Sequence, residues 1–495
     1  MILVSACGGA QAPAAPTAPA AAPATAPTAA SAAAPTTASA AAPTTAPAAA
    51  PTTAPTAAPT TAPAAAPTVA QPTPAAAAAP SSSGPVTLKV WKFGGTGQEN
   101  DYMPTQNKIF TDKTGNKVEW SSLDWGTKRE KVTAAYMAKK IADVLLPDGQ
   151  SIPDFVGLNI ISALDDVDKS MVAKWKPSFV PEIWDTTMWK GKFYAMSVYV
   201  DAAPFLGYNV PKFTEGGLAS GGKPTPPATW IDLKSDAAKL NKPDAPGFIF
   251  QASLNTNDVN IFEGVAYANG GRWINDDGSK VVINDAGVVD ALQLYADMVK
   301  ANVAPKNVVQ TDFGAAGTMF MNGTGAMWNC MSWIGAFAQG NKPKFDWGST
   351  LFPKQEKPSG SFAPASLIMT TTLGFMLANL STVKPQAMQY IDFWTTPDAQ
   401  KAWDGSVVWG RVPALTANWE SDTFKKQNAD WYAQYKAGTF FKGALPMPMF
   451  SGLTEVEQML SQNIQKVMLG QMTPKAALDD VQKGAQPIYE QLNNL

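Results

Sequence analysis

The chain has 495 residues, enough for two or three domains, and its 38 basic and 40 acidic residues give a formal net charge of −2. This balance lacks the basic footprint of a nucleic-acid-binding protein, and we predict no nucleic-acid partner. Histidine is absent, which excludes Ser-His-Asp and Cys-His catalysis and the usual imidazole metal sites. We predict neither a metal nor a cofactor.

The chain begins with a short segment that ends in small residues before a cysteine, Val4-Ser5-Ala6-Cys7. This pattern is similar to a bacterial lipobox, a signal in which the cysteine becomes lipid-modified. Only residues 1–3 precede it, so the basic region and most of the apolar region of a signal peptide are absent. We predict a truncated lipoprotein signal over 1–7 with lipidation at Cys7. The alternative is a chance match.

Residues 8–85 are rich in Ala, Pro and Thr, and residues 1–84 contain no Asp, Glu, Lys or Arg. Such a segment cannot bury a core, and its prolines disfavour helix. We predict a disordered linker of polyproline II character, a stalk that lifts the remaining chain off a membrane. Ser and Thr beside Pro also permit O-glycosylation.

From residue 86 onward strands and helices alternate, which predicts an α/β protein. The first elements are a strand over 86–93, a helix over 102–111, a strand over 117–121, a helix over 127–140 and a short strand over 152–156. The glycine-rich loop at 94–97 lacks the spacing and the lysine of a nucleotide site. Near the C-terminus, a capping box over 454–457 predicts a helix, Pro474 opens another, and a short helix ends the chain at 488–492.

Residues 318–336, TMFMNGTGAMWNCMSWIGA, combine a short amphipathic helix, a strand over 326–328 and a new helix that starts at Ile334. Trp328 belongs to the strand, whereas Trp333 lies in the loop after it. Because open α/β sheets bind ligands beyond the carboxyl ends of their strands, we interpret Trp333 as a stacking platform in a cleft. The alternative is that both tryptophans are core residues.

Further segments follow one another in a set order: KTGNKVEW, IPDFV, GKFYAM, LGYN, PPATW, NGG, the 318–336 stretch and WGRVP. In this order they resemble the bacterial extracellular solute-binding proteins of family 1, which feed ABC sugar importers. The resemblance covers residues 86–495. It implies an α/β fold of the two-lobed, periplasmic-binding-protein-like type II, with the ligand cleft between lobes joined by a hinge. Lobe 1 would comprise 86–200 and 372–418, and lobe 2 would comprise 204–365 and 419–495.

The resemblance also implies a function. The protein would capture a mono- or oligosaccharide by hinge closure and deliver it to membrane permease subunits, as a lipid-anchored, extracytoplasmic monomer without enzyme activity. One alternative is the same fold with a non-sugar solute, such as a glycerol phosphoester or a polyamine. Another is a cell-surface glycoside hydrolase, which would need a pair of carboxylates that the sequence does not single out.

Sugar recognition needs flat aromatic faces and fixed polar groups. By resemblance and by position at loop ends, the predicted ligand-binding residues are Phe93, Glu99, Asp124, Trp125, Asn159, Asp201, Trp273, Trp333, Trp409 and Arg411. Simpler roles stay open for three of them. Asp124 would serve equally as a helix N-cap, Glu99 as a solvated helix start, and Arg411 as the partner of a carboxylate across the lobe interface. Cys330 is interpreted as a small buried apolar residue rather than a reactive thiol.

Overall fold

The computed structural model of the protein describes residues 84–94, 97–401, 403 and 410–493. Residues 1–83, which include Cys7 and nearly all of the predicted linker, lie outside this part of the chain, and so does Trp409.

The strands of the described part are numbered in chain order. They are β1 Thr87–Phe93, β2 Lys117–Leu123, β3 Val144–Leu146, β4 Ile161–Ser162, β5 Met188–Trp189, β6 Lys192–Phe193, β7 Ala195–Ala203, β8 Phe205–Asn209, β9 Ala219–Ser220, β10 Lys223–Pro224, β11 Phe248–Ile249, β12 Met327–Cys330, β13 Trp347–Leu351, β14 Leu367–Ala378, β15 Val412–Pro413 and β16 Ala444–Pro446.

The helices of the described part are numbered in the same way. They are α1 Gly97–Thr114, α2 Lys128–Met137, α3 Ile152–Gly157, α4 Leu164–Val167, α5 Lys169–Trp175, α6 Pro181–Asp185, α7 Val210–Glu215, α8 Trp230–Leu240, α9 Thr256–Ala268, α10 Ala286–Lys300, α11 Phe313–Met321, α12 Ile334–Asn341, α13 Lys384–Phe393, α14 Pro397–Gln400, α15 Thr416–Trp419, α16 Asp422–Gln427, α17 Ala429–Lys436, α18 Leu453–Met468 and α19 Pro474–Asn493.

The larger sheet follows the order β15-β7-β14-β3-β1-β2, with β4 and β16 also paired to β14. β1 pairs in parallel with β2 and β3, and the long strands β7 and β14 pair antiparallel with each other. β1 shows why this sequence forms a strand, because Leu88 and Val90 alternate with exposed Thr87 and Lys89. The apolar side chains of β1 therefore face the core.

The smaller sheet follows the order β11-β12-β8-β13. We call the part built on the larger sheet lobe 1 and the part built on the smaller sheet lobe 2. Helix α10 belongs to lobe 2, because the Asn329 amide of β12 donates a hydrogen bond to the hydroxyl of Tyr295 on α10. Helices α9, α18 and α19 pack with α10, so all four form one layer of lobe 2.

The chain passes from one sheet to the other at Ala203–Pro204, where β7 leads directly into β8. Helix α9 packs closely on this crossing through Gly264. A Cβ atom at Gly264 would lie 2.8 Å from the backbone nitrogen of Pro204 and 3.0 Å from the carbonyl carbon of Ala203. A larger residue at position 264 would therefore push α9 away from the connection between the lobes.

Several predicted elements are confirmed, including the strands at 86–93 and 117–121 and the helix–strand–helix order of 318–336. Two predictions are wrong. Residues 152–156 form helix α3 instead of a strand, and the strand of this region, β3, lies six to eight residues earlier. The capping box at 454–457 does not form, because α18 already begins at Leu453, after Gly452 with φ 88°. The last predicted helix is the end of α19, which runs unbroken to Asn493.

Candidate ligand-binding cleft

A cavity of about 370 Å³ lies between lobe 1 and lobe 2. Lobe 1 lines it with the loop after β2, the start of α2 and the turn after β3, and lobe 2 lines it with the loop before α9 and the first turns of α9 and α18. Clefts between such units are the usual place for small-molecule sites. The charged lining residues are Asp124, Lys128, Arg129, Glu130, Asp148, Asp154 and Glu457.

The loop after β2 places an aromatic ring at this cavity. Asp124 Oδ1 accepts a hydrogen bond from the backbone N–H of Thr127 at 3.1 Å and so closes the turn that leads into α2. Trp125, inside this turn, is half-buried and lines the cavity. The ammonium group of Lys128 lies 4.1 Å from the centre of the Trp125 ring, within the range of a cation–π contact.

The turn after β3 supplies a fixed carboxylate. Asp148 Oδ1 accepts hydrogen bonds from the backbone N–H and the hydroxyl of Ser151, at 3.0 and 2.7 Å. The other oxygen of Asp148 forms an ion pair with Lys128. Both ends of the Lys128 ion pair are thus held by local structure of lobe 1.

Polar contacts join the two lobes across the cavity. Arg129 Nη1 lies 2.7 Å from Glu455 Oε1 on α18, and Arg129 Nε lies 3.2 Å from Asp154 Oδ2 in lobe 1. Gln150 Nε2 donates a hydrogen bond of 3.2 Å to Glu457 Oε1, also on α18. We call the Arg129–Glu455 and Gln150–Glu457 contacts the cross-lobe bridges.

Two buried acids and an amide face each other on α18 and α9. Glu457 is 4 % exposed, and burial raises its pKa to about 8, against the opposing charge of Lys128. Glu263 is fully buried, and burial followed by the charge of Glu457 raises its pKa well above the ordinary value. Asn260 lines the cavity, and its Oδ1 accepts no hydrogen bond from the described residues although it is buried.

A second set of contacting side chains lies away from the cavity lining. We call it the buried charge cluster, and it consists of Glu99, Asp201, Arg411, Tyr199 and Trp333. Arg411 Nη1 donates to both carboxylate oxygens of Asp201 at 2.7 and 2.8 Å, and Nη2 donates to Glu99 Oε1 at 3.1 Å. The guanidinium carbon lies 4.0 Å from the Tyr199 ring centre and 5.1 Å from that of Trp333. Burial raises the pKa of Asp201, but the two short bonds from Arg411 keep the carboxylate ionised at neutral pH.

Lys92 balances the charge of this cluster. Its ammonium group lies 3.8 Å from Glu99 Oε2 and donates a hydrogen bond of 2.6 Å to the Gly94 carbonyl oxygen. Burial lowers the pKa of Lys92, since it disfavours the charged amine. With Lys92 and Arg411 opposite Glu99 and Asp201, the buried charges sum to zero.

The structure brings together six of the predicted ligand-binding residues in two places. Glu99, Asp201, Trp333 and Arg411 meet in the buried charge cluster, and Asp124 and Trp125 line the cavity. Arg411 does pair with carboxylates, but the predicted location of the pair across the lobe interface is wrong, because Asp201 on β7 and Glu99 on α1 both belong to lobe 1. The alternative for Glu99 as a solvated helix start is wrong, because its side chain is fully buried. Asp124 caps the turn before α2 and lines the cavity as well.

Three other predicted residues lie apart from both places. Phe93 is 1 % exposed, in an apolar core of lobe 1. Trp273 has no exposed surface, and its ring packs against those of Phe262 and Tyr267, at 6.1 and 5.6 Å between centres. Asn159 is exposed, and its Oδ1 accepts a hydrogen bond from a neighbouring amide. Trp409, the tenth, lies outside the described residues.

Sequence reasoning missed most polar residues of the cavity, among them Asp148, Gln150, Asn260 and Glu457. A signal for Asp148 was present, because Pro147-Asp148 follows the apolar run Val144–Leu146 directly. The prediction placed the strand at the next Pro-Asp pair, six residues later. Glu457 was interpreted as part of a capping box, whereas it points from the first turns of α18 into the cavity.

The sequence pattern of the family described as bacterial extracellular solute-binding protein matches residues 96–401. The chain belongs to this family. The resemblance inferred from the segment order is thereby confirmed.

Relatives of this solute-binding protein agree in length and in fold. A protein of Brucella abortus (strain 2308), named only as a binding protein, is 23 % identical over 419 residues, which cover 83 % of this chain and 94 % of that one. A solute-binding protein of an ABC transporter from Thermotoga lettingae, bound to α-D-tagatose, superposes with a TM-score of 0.71 at 22 % identity and covers 81 % of this chain and 99 % of its own. Maltose-bound MalE3 of T. maritima gives a TM-score of 0.67 at 22 % identity, with 81 % and 98 % coverage. The predicted two-lobed type II fold is therefore confirmed.

Family membership places this solute-binding protein outside the cytoplasm. Within the residues that the structure describes, no helix combines the length and the apolar composition needed to cross a bilayer. In the same residues, no group of His, Cys, Asp and Glu side chains is arranged to hold a metal ion.

Proposed function

We infer that this solute-binding protein captures a carbohydrate between its lobes and delivers it to the permease subunits of an ABC importer. One observation carries the inference: the cavity between the lobes joins the side chain of Trp125 to polar side chains from both lobes, including Gln150, Asn260 and Glu457. An aromatic ring suits the apolar C–H face of a sugar, and amide and carboxylate oxygens suit its hydroxyl groups.

The ligands of similar structures support a carbohydrate. The Thermotoga lettingae protein holds α-D-tagatose, the T. maritima protein holds maltose, and an Agrobacterium radiobacter protein with a TM-score of 0.68 holds ribitol. These are polyhydroxylated solutes of different length. A phosphoester is a poorer candidate, because both cations of the cavity, Lys128 and Arg129, already pair with carboxylates.

Capture works by linkage between binding and lobe closure. Hinge closure around a ligand is established for periplasmic binding proteins as a class. A solute that touches Trp125 in lobe 1 and Glu457 in lobe 2 binds the closed arrangement better, and it shifts the population toward that arrangement. The permease would then recognise the closed form, and Ala203–Pro204 with β14 would form the connection that bends.

We propose that the N-terminal segment holds the protein at the cell membrane. Lipidation at Cys7 would anchor the chain, and the linker over 8–85 would hold the lobes away from the membrane. We further propose that Trp333 and Arg411 form the wall of the cleft nearest to the connection between the lobes, and that the protein acts as a monomer without enzyme activity.

Isothermal titration calorimetry of the purified protein against mono-, di- and trisaccharides and sugar alcohols tests this function. At least one carbohydrate is expected to bind at micromolar concentration or below and to raise the unfolding temperature. Glycerol 3-phosphate and spermidine are titrated as the non-sugar ligands. Binding of either one, with no response to any carbohydrate, would refute the carbohydrate function.

A further inference from the structure

The cavity has a marked excess of negative charge. Among the described residues its lining includes five acidic side chains, those of Asp124, Glu130, Asp148, Asp154 and Glu457, and two cations, Lys128 and Arg129. Glu457 keeps its proton at neutral pH because burial raises its pKa to about 8, so the formal charges of the others sum to 2 − 4 = −2. Acidic walls around a recess of low dielectric concentrate a potential that attracts cations.

Both described cations of the cavity already form ion pairs with carboxylates other than Glu457 and Glu263. Lys128 pairs with Asp148 and lies over the Trp125 ring. Arg129 is shared between Asp154 and Glu455. The ion pairs of the cavity are therefore complete without Glu457.

The wall formed by α9 and α18 presents two acids, Glu457 and Glu263, that form no ion pair within the described part of the chain, although the charges of Lys128 and Arg272 act on them from a distance. Glu457 receives one hydrogen bond from Gln150, a neutral amide. Glu263 lies behind it, fully buried, and the two carboxylates raise each other's free energy when both are ionised. One turn away on α9, Asn260 contributes a buried Oδ1 without a hydrogen-bond donor among the described residues.

A solute complementary to this wall must bring donors and positive charge. A hydroxyl group brings one donor and no charge, whereas an ammonium group brings three donors and a full charge. An ammonium group between Glu457 and Asn260 would donate to the free amide oxygen and stabilise the ionised form of Glu457, which would release to solvent the proton that burial keeps on it in the empty cleft. The hydroxyl groups of the sugar would stay available to Gln150 and Trp125. We propose that the carbohydrate taken by this cleft carries a free amino group, so that the protein is a receptor for amino sugars. This inference rests on the proposed carbohydrate function.

Calorimetry with matched sugar pairs tests the proposal. The pairs are D-glucosamine with D-glucose, D-galactosamine with D-galactose, and the glucosamine disaccharide with cellobiose, and N-acetyl-D-glucosamine tests loss of the charge. In the pair that fits the cavity, the amino sugar is expected to bind at least tenfold more tightly than the neutral sugar, and acetylation should remove the advantage. Equal or tighter binding of the neutral sugar would overturn the proposal and leave the carbohydrate function intact. Silence of all these sugars while another carbohydrate of the wider panel binds would likewise overturn the amino-sugar proposal, and silence of the whole panel would overturn the carbohydrate function itself.

Two variants test whether the wall formed by α9 and α18 determines the preference for the amino sugar over the neutral sugar. Glu457→Gln is expected to reduce the preference for the amino sugar to within about threefold of unity. Asn260→Leu, at a side chain whose oxygen has no partner to lose, is expected to weaken amino-sugar binding about tenfold. Glu490→Gln, the same chemical change at an exposed position of α19, serves as the control and should leave both affinities unchanged. An unaltered preference in both wall variants would overturn the assignment.

Discussion

The pH dependence of the free energy of unfolding should reveal whether Glu457 keeps its proton in the folded protein. Its carboxyl group is 4 % exposed, and burial raises its pKa from the ordinary 4.5 to about 8. Below pH 4.5 the group is protonated in both the folded and the unfolded chain, so it contributes no difference. Between pH 4.5 and 8 the folded chain keeps a proton that the unfolded chain releases, and the free energy of unfolding falls as the pH rises.

The size of this loss of stability follows from the width of the pH interval between the two pKa values. Each pH unit within this window costs about 1.4 kcal/mol, so the cost reaches about 3 kcal/mol at pH 7 and about 5 kcal/mol above pH 8. Glu457→Gln has nearly the same shape, keeps an acceptor for Gln150 and cannot ionise. The variant should therefore be more stable than the natural chain by about 3 kcal/mol at pH 7 and no more stable at pH 4.

Urea unfolding of both proteins at pH 4, 7 and 9, followed by tryptophan fluorescence, measures this difference. The midpoint of Glu457→Gln should exceed that of the natural chain at pH 7 and 9 and coincide with it at pH 4, and Glu490→Gln should match the natural chain throughout. A variant of equal or lower stability at pH 7 would refute the reasoning, since the ionised carboxylate would then be stabilised by the fold. If Glu457→Gln is more stable than the natural chain and yet loses the preference for amino sugars, the loss of binding cannot be a result of misfolding. Glu457 would then have a role in binding.

Other expected outcomes concern the buried charge cluster, the aromatic face and the free thiol. Arg411→Met leaves buried carboxylates without their partner and should lower the free energy of unfolding by about 3–5 kcal/mol, measured by urea unfolding, and adding Asp201→Asn should recover part of the loss. Trp125→Ala should weaken binding of the carbohydrate about tenfold in calorimetry with little change in the unfolding midpoint, because the ring is half-buried at the cavity. Cys330 is fully buried, and burial raises the pKa of its thiol, so mass spectrometry should find it unmodified by a thiol reagent in the folded protein and modified in urea.

The sequence predicted the elements whose periodicity is unambiguous. The alternation of Leu88 and Val90 with polar residues identifies β1. Lys92 lies on the same buried face, and a lysine at an inward position of a strand indicates a buried partner of opposite charge, here Glu99. Short apolar runs carry no such information. Residues 152–156 fit a strand or a helix by composition, and only packing decides for α3.

The site was predictable only where a local pattern reported it. Trp125 and Asp124 follow a strand directly, so position alone indicated them. Glu457 and Asn260 lie on helices far apart in sequence, and their meeting depends on the packing of α18 against α9. The joining of Arg411 with Asp201 likewise spans 210 positions, which no periodicity can report.

The cross-lobe bridges have a consequence for the rate at which a solute reaches the cavity. Opening must break the Arg129–Glu455 ion pair and the Gln150–Glu457 hydrogen bond before the lobes separate. Both side chains of the ion pair are about one-third exposed, so salt weakens it and should speed opening. For a neutral sugar, the association rate constant should therefore rise with ionic strength. For a cationic sugar, salt also screens attraction to the acidic lining, so its rate constant should gain less from salt than that of the neutral sugar. This difference separates steering by the charge of the cleft from gating by the bridges.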